Sequence, residues 1–180
     1  MKYPLAAMAL VFANVSVAFA SSANTLTFLG EIADQTCEVA VNGVTSNPAV
    51  VLPAVSASTL ATGGSTAGQT TFRIGISGCT APIETAQAIR TVFVGNRVTA
   101  SGNLDNSGTA ENVSLQLVDP AAPNQPFNLS GPDGHAAPGL NLRAGETAAS
   151  YDFAVRYVSE TGGATRGSVK GSVQYLLTYQ

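Results

Sequence analysis

The feature that most constrains this chain is a strict alternation over its last fourteen residues, 167–180. Apolar side chains and glycines occupy one side of a period-two pattern, and polar residues occupy the other, with Leu176 as the only apolar exception. This pattern predicts a long β-strand with one apolar face. Because the strand runs to the end of the chain, we expect its outer edge to stay uncovered and to act as a docking site. The positions on the apolar side are Gly167, Val169, Gly171, Val173, Tyr175, Leu177 and Tyr179.

Residues 1–20 have the pattern of a secretory signal peptide. Lys2 gives a positive start, an apolar run follows from Leu5 to Phe19, and small residues surround a cleavage position after Ala20. An uncleaved membrane anchor is the alternative, but the run is short for a spanning helix and polar residues follow it. We therefore expect a mature chain of residues 21–180, released from the inner membrane and forming one domain.

The composition excludes some classes of function. Charged residues make up 11% of the chain and the net charge is −3, so no basic patch is available for nucleic-acid phosphates. His135, the only histidine, lies in a predicted loop, so triad catalysis would depend entirely on a solvated side chain. The Gly-rich stretch 61–68 lacks the lysine of a phosphate-binding loop. We expect no enzyme activity and no cofactor.

Two cysteines, Cys37 and Cys79, lie in the mature chain. An even count in an exported protein predicts a disulfide bond between them. Two cysteines and one distant histidine do not make a zinc site, and no C-x-x-C redox pair is present. The acidic residues around Cys37 do not have the spacing of a calcium-binding loop, so no metal is expected. These acidic residues are Glu31, Asp34 and Glu38.

Most of the remaining chain predicts short strands separated by turns. We interpret 120–139 as a long surface loop with one short strand around Phe127, and 56–68 as a loop with a helical turn. About seven short strands and no amphipathic helix favour an antiparallel, immunoglobulin-like β-sandwich. The predicted strands before the C-terminal one are 26–32, 50–53, 70–77, 89–94, 113–118 and 151–157.

The N-terminal segment 21–32 has its own apolar alternation. It could be the first strand of its own domain. It could instead leave that domain and fill a groove beside the last strand of a neighbour, which is β-strand addition between chains. Repeated head to tail, such a contact does not close and builds a filament.

Taken together, these segments resemble the pilins of the chaperone–usher pathway, and are similar to the major subunits of type 1 fimbriae. The resemblance rests on Asn24–Ile32 followed by Cys37, on the strand Phe72–Ser77 leading into Cys79, and on the C-terminal strand. That strand has a glycine fourteenth from its end, Gly167, and a penultimate tyrosine, Tyr179. The matching parts span the whole mature chain.

The resemblance implies an incomplete immunoglobulin-like sandwich that lacks its last strand, formed by residues 37–180. Residues 21–36 would be a detached extension that donates a strand to the next subunit. A periplasmic chaperone would first lend a strand beside the C-terminal strand, and the exchange would occur at an outer-membrane usher. The product would be a surface fimbrium that supports cell adhesion. The donor residues would be Leu26, Phe28, Gly30 and Ile32.

Two questions stay open at the level of sequence. The extension before Cys37 is short, which leaves the choice between a major shaft subunit and a minor adaptor undecided. A self-contained secreted β-sandwich that binds a carbohydrate or protein ligand is the alternative function. That alternative would keep residues 21–32 in their own domain.

Overall fold

The computed structural model describes residues 37–180, and within that range it has seven β-strands and one short 3₁₀ helix. The predicted signal peptide (1–20) and the predicted donor residues Leu26, Phe28, Gly30 and Ile32 lie outside the described residues. No helix within the described range is long and apolar enough to cross a membrane. The strands are β1 (Glu38–Val41), β2 (Ser65–Ser77), β3 (Gln87–Gly95), β4 (Ser114–Val118), β5 (His135–Leu142), β6 (Ala149–Ser159) and β7 (Val173–Tyr179), and the helix is Ala57–Leu60.

The strands form two antiparallel sheets, which confirms the predicted all-β sandwich. One sheet has the order β1-β2-β6-β4 and the other has the order β5-β3-β7. The central pair, β2 and β6, is in register from Thr70 opposite Val155 to Ile76 opposite Ala149. A register shift between Ala67 and Thr70 interrupts the pairing of these strands nearer their other end.

The core lies between the sheets and is organised around phenylalanine rings. Phe72 and Ile74 on β2 point inward, as their alternation predicts, and Phe153 on β6 is fully buried. The rings of Phe93 and Phe153 meet edge to face with centroids 5.0 Å apart, a favoured aromatic geometry. Arg73 points outward from β2, also as predicted, and its guanidinium donates two hydrogen bonds to Asp152, at 2.6 and 2.9 Å.

The sandwich has two distinct ends. No strand or helix lies between β2 and β3, so Ser77 at the end of β2 and Gln87 at the start of β3 lie at the same end of the sandwich. Tyr179 lies at this end too, because it pairs with Ile89. We call this the disulfide end, since Cys79 follows Ser77. The other end carries Ser65, which pairs with Ser159, together with the 3₁₀ helix. We call it the far end.

Two predicted boundaries in the middle of the chain are wrong. Residues 50–53 form no strand, although Val50 and Leu52 pack against the core. Part of the predicted surface loop 120–139 is β5, which begins at His135. The ring of His135 stacks on Phe127 with centroids 4.5 Å apart, so His135 is a half-buried strand residue rather than a solvated loop residue. Burial lowers the pKa of His135, and a hydrogen bond with the backbone of Asn128 opposes that shift.

The C-terminal strand is shorter than the alternation predicts, because β7 begins at Val173 and not at Gly167. The preceding residues bond to a different segment, around residues 106–110. The carbonyl of Lys170 accepts from Ser107 N at 2.8 Å, and the carbonyl of Ser168 accepts from Ala110 N at 3.0 Å. The period-two pattern therefore continues through residues 167–170, although their main-chain hydrogen bonds are made to the loop 106–110 and not to a strand.

Candidate functional site: an apolar groove along β7

Strand β7 lies at the edge of the three-stranded sheet. It pairs with β3 from Ile89 opposite Tyr179 to Gly95 opposite Val173. Four of its side chains are partly buried and pack against the main core, in the alternation that the sequence predicts. These residues are Val173, Tyr175, Leu177 and Tyr179.

An apolar groove of about 550 Å³ runs beside this edge. We call it the edge groove. The C-terminal segment lines it with Val169, Gly171, Val173 and Tyr175, and mostly apolar core side chains form its floor. The floor residues include Phe72, Ile74, Leu104, Leu115, Leu117 and Val155.

The opposite wall of the edge groove is the segment Pro48–Leu52. Val50 and Leu52 are half-buried against the core, whereas Val51 between them is 84% exposed. Within residues 37–180, no main-chain hydrogen bond is recorded for 48–55. An extended apolar segment entering the groove would therefore meet main-chain donors and acceptors on this wall as well as along β7.

Most of the sequence-predicted groove residues meet at this site. Val169, Gly171, Val173 and Tyr175 line the groove, and Leu177 and Tyr179 continue the same face of β7 toward the disulfide end. A Cβ placed on Gly171 would lie 3.0 Å from Leu115 Cδ1, so the missing side chain keeps the groove open there.

Gly167 lies apart from the other predicted groove residues. It does not line the edge groove, and it packs against the main chain of Ala110. A Cβ on Gly167 would lie 2.4 Å from Ala110 N, which no real contact tolerates. The glycine thus allows segment 167–170 to approach segment 106–110 closely.

Sequence reasoning missed the Pro48–Leu52 wall. The alternation of Val50 and Leu52 was visible, but it was interpreted as a strand. Pro48 at its start and Pro53 directly after it are the signal that its main chain does not join a central ladder.

The predicted disulfide is present and positions the start of the described domain. Cys37 and Cys79 are bonded, with Cα atoms 4.4 Å apart. Cys79 N also donates to Thr147 O at 3.1 Å, so the bond lies at a point where β1, β2 and the β5–β6 turn meet. Any segment preceding Cys37 therefore joins the domain at the disulfide end.

The lining of the edge groove is almost uncharged. Among its described lining residues, Lys170 is the only one with a charged side chain. The fold is a β-sandwich with an apolar groove along one sheet edge, which is typical of a structural subunit and not of an enzyme.

Comparison with known proteins agrees with this class. A family model described as Fimbrial protein matches residues 26–180. The F17 fimbrial protein of Escherichia coli is 37% identical over 180 residues, which cover 91% of this chain and 94% of that protein. The major fimbrial subunit SMF-1 of Stenotrophomonas maltophilia is 33% identical, over 86% of this chain and 91% of its own. The chain belongs to the fimbrial protein family.

Solved structures support the same fold. The P pilus rod subunit PapA superposes with a TM-score of 0.57 at 15% identity, covering 79% of this chain and 99% of PapA. A chaperone–usher pilus structure gives a TM-score of 0.58 at 15% identity, covering 92% of this chain and all of that one. The chain is a structural pilus subunit of a surface fimbrium, assembles with other pilus subunits, and is not an enzyme.

Proposed function

We propose that this subunit polymerises by donor-strand exchange and that the edge groove is the acceptor. Residues 37–180 form the accepting domain, and residues 21–36 form the extension given to the next subunit. The single observation that carries the proposal is the apolar groove between β7 and Pro48–Leu52, bordered by main chain on both sides.

The dimensions of the groove and the donor agree. Four inward positions of the C-terminal segment line the groove, over the seven residues from Val169 to Tyr175. The four donor positions also span seven residues, Leu26–Ile32, or about 20 Å of extended chain. Burying three large apolar donor side chains would contribute roughly 1.5–3 kcal/mol each before ordering costs.

The direction of the donor follows from the two ends of the sandwich. All strand pairs within residues 37–180 are antiparallel, and an antiparallel donor would place Ile32 near Val169, toward the far end. The donor's own domain begins at Cys37, at its disulfide end. Antiparallel pairing would therefore stack the disulfide end of one subunit on the far end of the next, and this arrangement propagates as a filament.

An uncovered apolar groove is an aggregation hazard before assembly, which is the reason to propose a chaperone. After export through the periplasm and removal of residues 1–20, a periplasmic chaperone lends a strand to the edge groove beside β7. At an outer-membrane usher, the extension of the next subunit replaces the chaperone's strand in the edge groove. The finished fimbrium supports cell adhesion.

The test compares the intact subunit with a variant deleted for residues 21–32, by size-exclusion chromatography and unheated SDS gels of periplasmic protein. Donor-strand exchange predicts SDS-resistant ladders that the deletion abolishes, while a chaperone-sized partner still co-purifies. Phe28→Asp should also abolish the ladder, and the matched control Thr27→Asp, on the polar side of the same segment, should keep it. A stable lone monomer in every case would overturn the proposal.

A further inference from the structure

The edge that would receive a donor strand and the extension that would supply one carry opposite charges. In the C-terminal segment 163–180 the only charged residues are Arg166 and Lys170, and both are exposed. In the extension 21–36 the only charged residues are Glu31 and Asp34. The extension is therefore purely acidic, and the segment that it would lie against is purely basic.

Both basic side chains lack an acidic partner in their own domain. Neither Arg166 nor Lys170 forms a recorded ion pair with another residue of the range 37–180. Asp105, directly before the loop 106–110 that binds segment 167–170, is already bonded to Arg97. A carboxylate arriving from another chain would therefore find the two cations available.

The main chain of this segment determines which of its residues face an incoming strand. Lys170 is bonded to its own domain, since its N donates to Asn106 Oδ1 and its carbonyl accepts from Ser107 N, both at 2.8 Å. No main-chain hydrogen bond is recorded within residues 37–180 for Val169 or Gly171. Because main-chain groups of an extended chain alternate in direction, those of Val169 and Gly171 point to the open side, where a donor would lie.

Resting on the donor-strand arrangement above, we propose that Glu31 of the extension forms an ion pair with Lys170 of the accepting subunit, and that this pair sets the register of the donor. An antiparallel donor with Ile32 opposite Val169 has Glu31 opposite Lys170. Since the main chain of Val169 points to the donor, its pair is the hydrogen-bonded kind. The next pair, Glu31 with Lys170, is then the non-hydrogen-bonded kind, in which side chains lie closer together.

Apolar alternation by itself leaves the register open, because it repeats every two residues. A slip of two residues would keep the donor's apolar side chains inward but would place Glu31 opposite Ser168 or Ser172, which are both uncharged. Asp34 adds to the same preference, because in the proposed register it lies diagonally across from Arg166. The groove would thus select an extension with a carboxylate directly before its last inward apolar residue.

The test reports the register with two cysteines on the outward face of full chains assembled in the periplasm. Thr27→Cys and Gln174→Cys lie opposite each other in the proposed register and leave Glu31 and Lys170 in place. We expect inter-subunit disulfides between them, seen as multimers that survive heating in SDS but not a reductant. Thr27→Cys combined with Ser172→Cys reports a slip of two residues and should give no such multimers.

Charge exchange then tests the ion pair. Lys170→Glu, added to the 27–174 cysteine pair, should lower the crosslink yield by roughly fivefold or more, because an attractive pair becomes a repulsive one. Adding Glu31→Lys as well should restore the yield, since the two charges are then exchanged. Arg90→Glu is the matched control: it makes the same charge change at an exposed position on β3, the central strand of its sheet, and should have no effect.

The outcomes separate the ion pair from the assembly mechanism. A crosslink yield that Lys170→Glu leaves unchanged would overturn the ion pair alone, and so would a loss that Glu31→Lys does not restore. Crosslinks from position 27 to position 172, in place of 174, would overturn the register and the pair with it. Failure of the unsubstituted protein to form SDS-resistant ladders would overturn donor-strand exchange itself.

Discussion

Glu160 anchors the polar side of the far end through hydrogen bonds to its carboxylate. Thr99 Oγ1 and Asn103 Nδ2 both donate to Glu160 Oε1 at 2.7 Å, and Asn103 Oδ1 in turn accepts from Gln116 Nε2 at 3.0 Å. Burial alone would raise the pKa of Glu160, but hydrogen bonds from Asn103, Thr99 and Ser101 outweigh burial and lower it. The charged form is therefore the one that the fold stabilises.

Glu160→Gln should reduce the free energy of unfolding by about 1 kcal/mol at pH 7, because charge-assisted hydrogen bonds become neutral ones. A lowered carboxyl pKa stabilises the fold above the unfolded pKa, and the gain is lost as pH falls through the folded value. The difference between wild type and variant should thus shrink as pH falls below the reference value of 4.5. Urea unfolding at several pH values measures this. Glu146→Gln, at an exposed 3.9 Å ion pair, is the control and should change little.

Gly167→Ala should destabilise the domain by about 1–3 kcal/mol, since its Cβ would collide with main-chain atoms of Ala110 that cannot rotate away. Gly131→Ala is the matched control, because the nearest atom to its Cβ, Gly134 O, lies 3.5 Å away. Urea midpoints followed by circular dichroism compare the two variants. Equal midpoints would contradict the close packing of segments 167–170 and 106–110.

At the scale of elements, β7 has one face toward the edge groove and one face toward solvent. Val173 and Tyr175 face the edge groove, and Gln174 between them is exposed. A charged substitution on the groove face therefore tests the proposed strand recognition. The same substitution at the neighbouring exposed position tests whether β7 accepts a charge at all.

Val173→Asp should abolish capture of the subunit by the proposed periplasmic chaperone and lower the periplasmic level of the subunit severalfold. The reason is that a carboxylate in an apolar groove loses its hydration without gaining a partner. Gln174→Asp should leave both capture and ladder formation unchanged. Immunoblots of heated and unheated periplasmic extracts give both readouts. Normal levels of Val173→Asp would argue against β7 as the docking edge.

The strands most visible in the sequence were those with large alternating side chains. Phe72, Ile74 and Ile76 defined β2 without ambiguity. Strand β5 was missed because His135–Leu142 contains Pro138 and Gly139, which are typical of turns. At a sheet edge a proline is tolerated, since the missing donor faces away from the ladder, so the position in the sheet overrides the local propensity.

At the scale of the whole molecule, one covalent bond ties the first described residue, Cys37, to the end of β2. The bond between Cys37 and Cys79 closes a loop with a sequence separation of 42 residues. It holds β1 against the end of β2, and it makes the disulfide end the point from which a donated strand would leave.

Replacing both cysteines, Cys37→Ser with Cys79→Ser, should lower the free energy of unfolding by about 4 kcal/mol, the chain-entropy value for a loop of this length. The double variant avoids an unpaired thiol. Urea unfolding of wild type with and without a reductant provides the control, and reduced wild type should match the double variant. A difference below about 1 kcal/mol would mean that the bond is not a main source of stability.

The sequence alone determined the fold class, the disulfide and the apolar face of β7. Period-two alternation reports which face of a strand is buried, and two cysteines in an exported chain leave one possible pairing. Only the tertiary structure decided where β7 begins, that His135 stacks on Phe127, and that Gly167 packs against Ala110 and not in the groove. It also revealed the Pro48–Leu52 wall of the edge groove. These features depend on segments far apart in the chain, and alternation within one segment carries no information about which distant segment receives its hydrogen bonds.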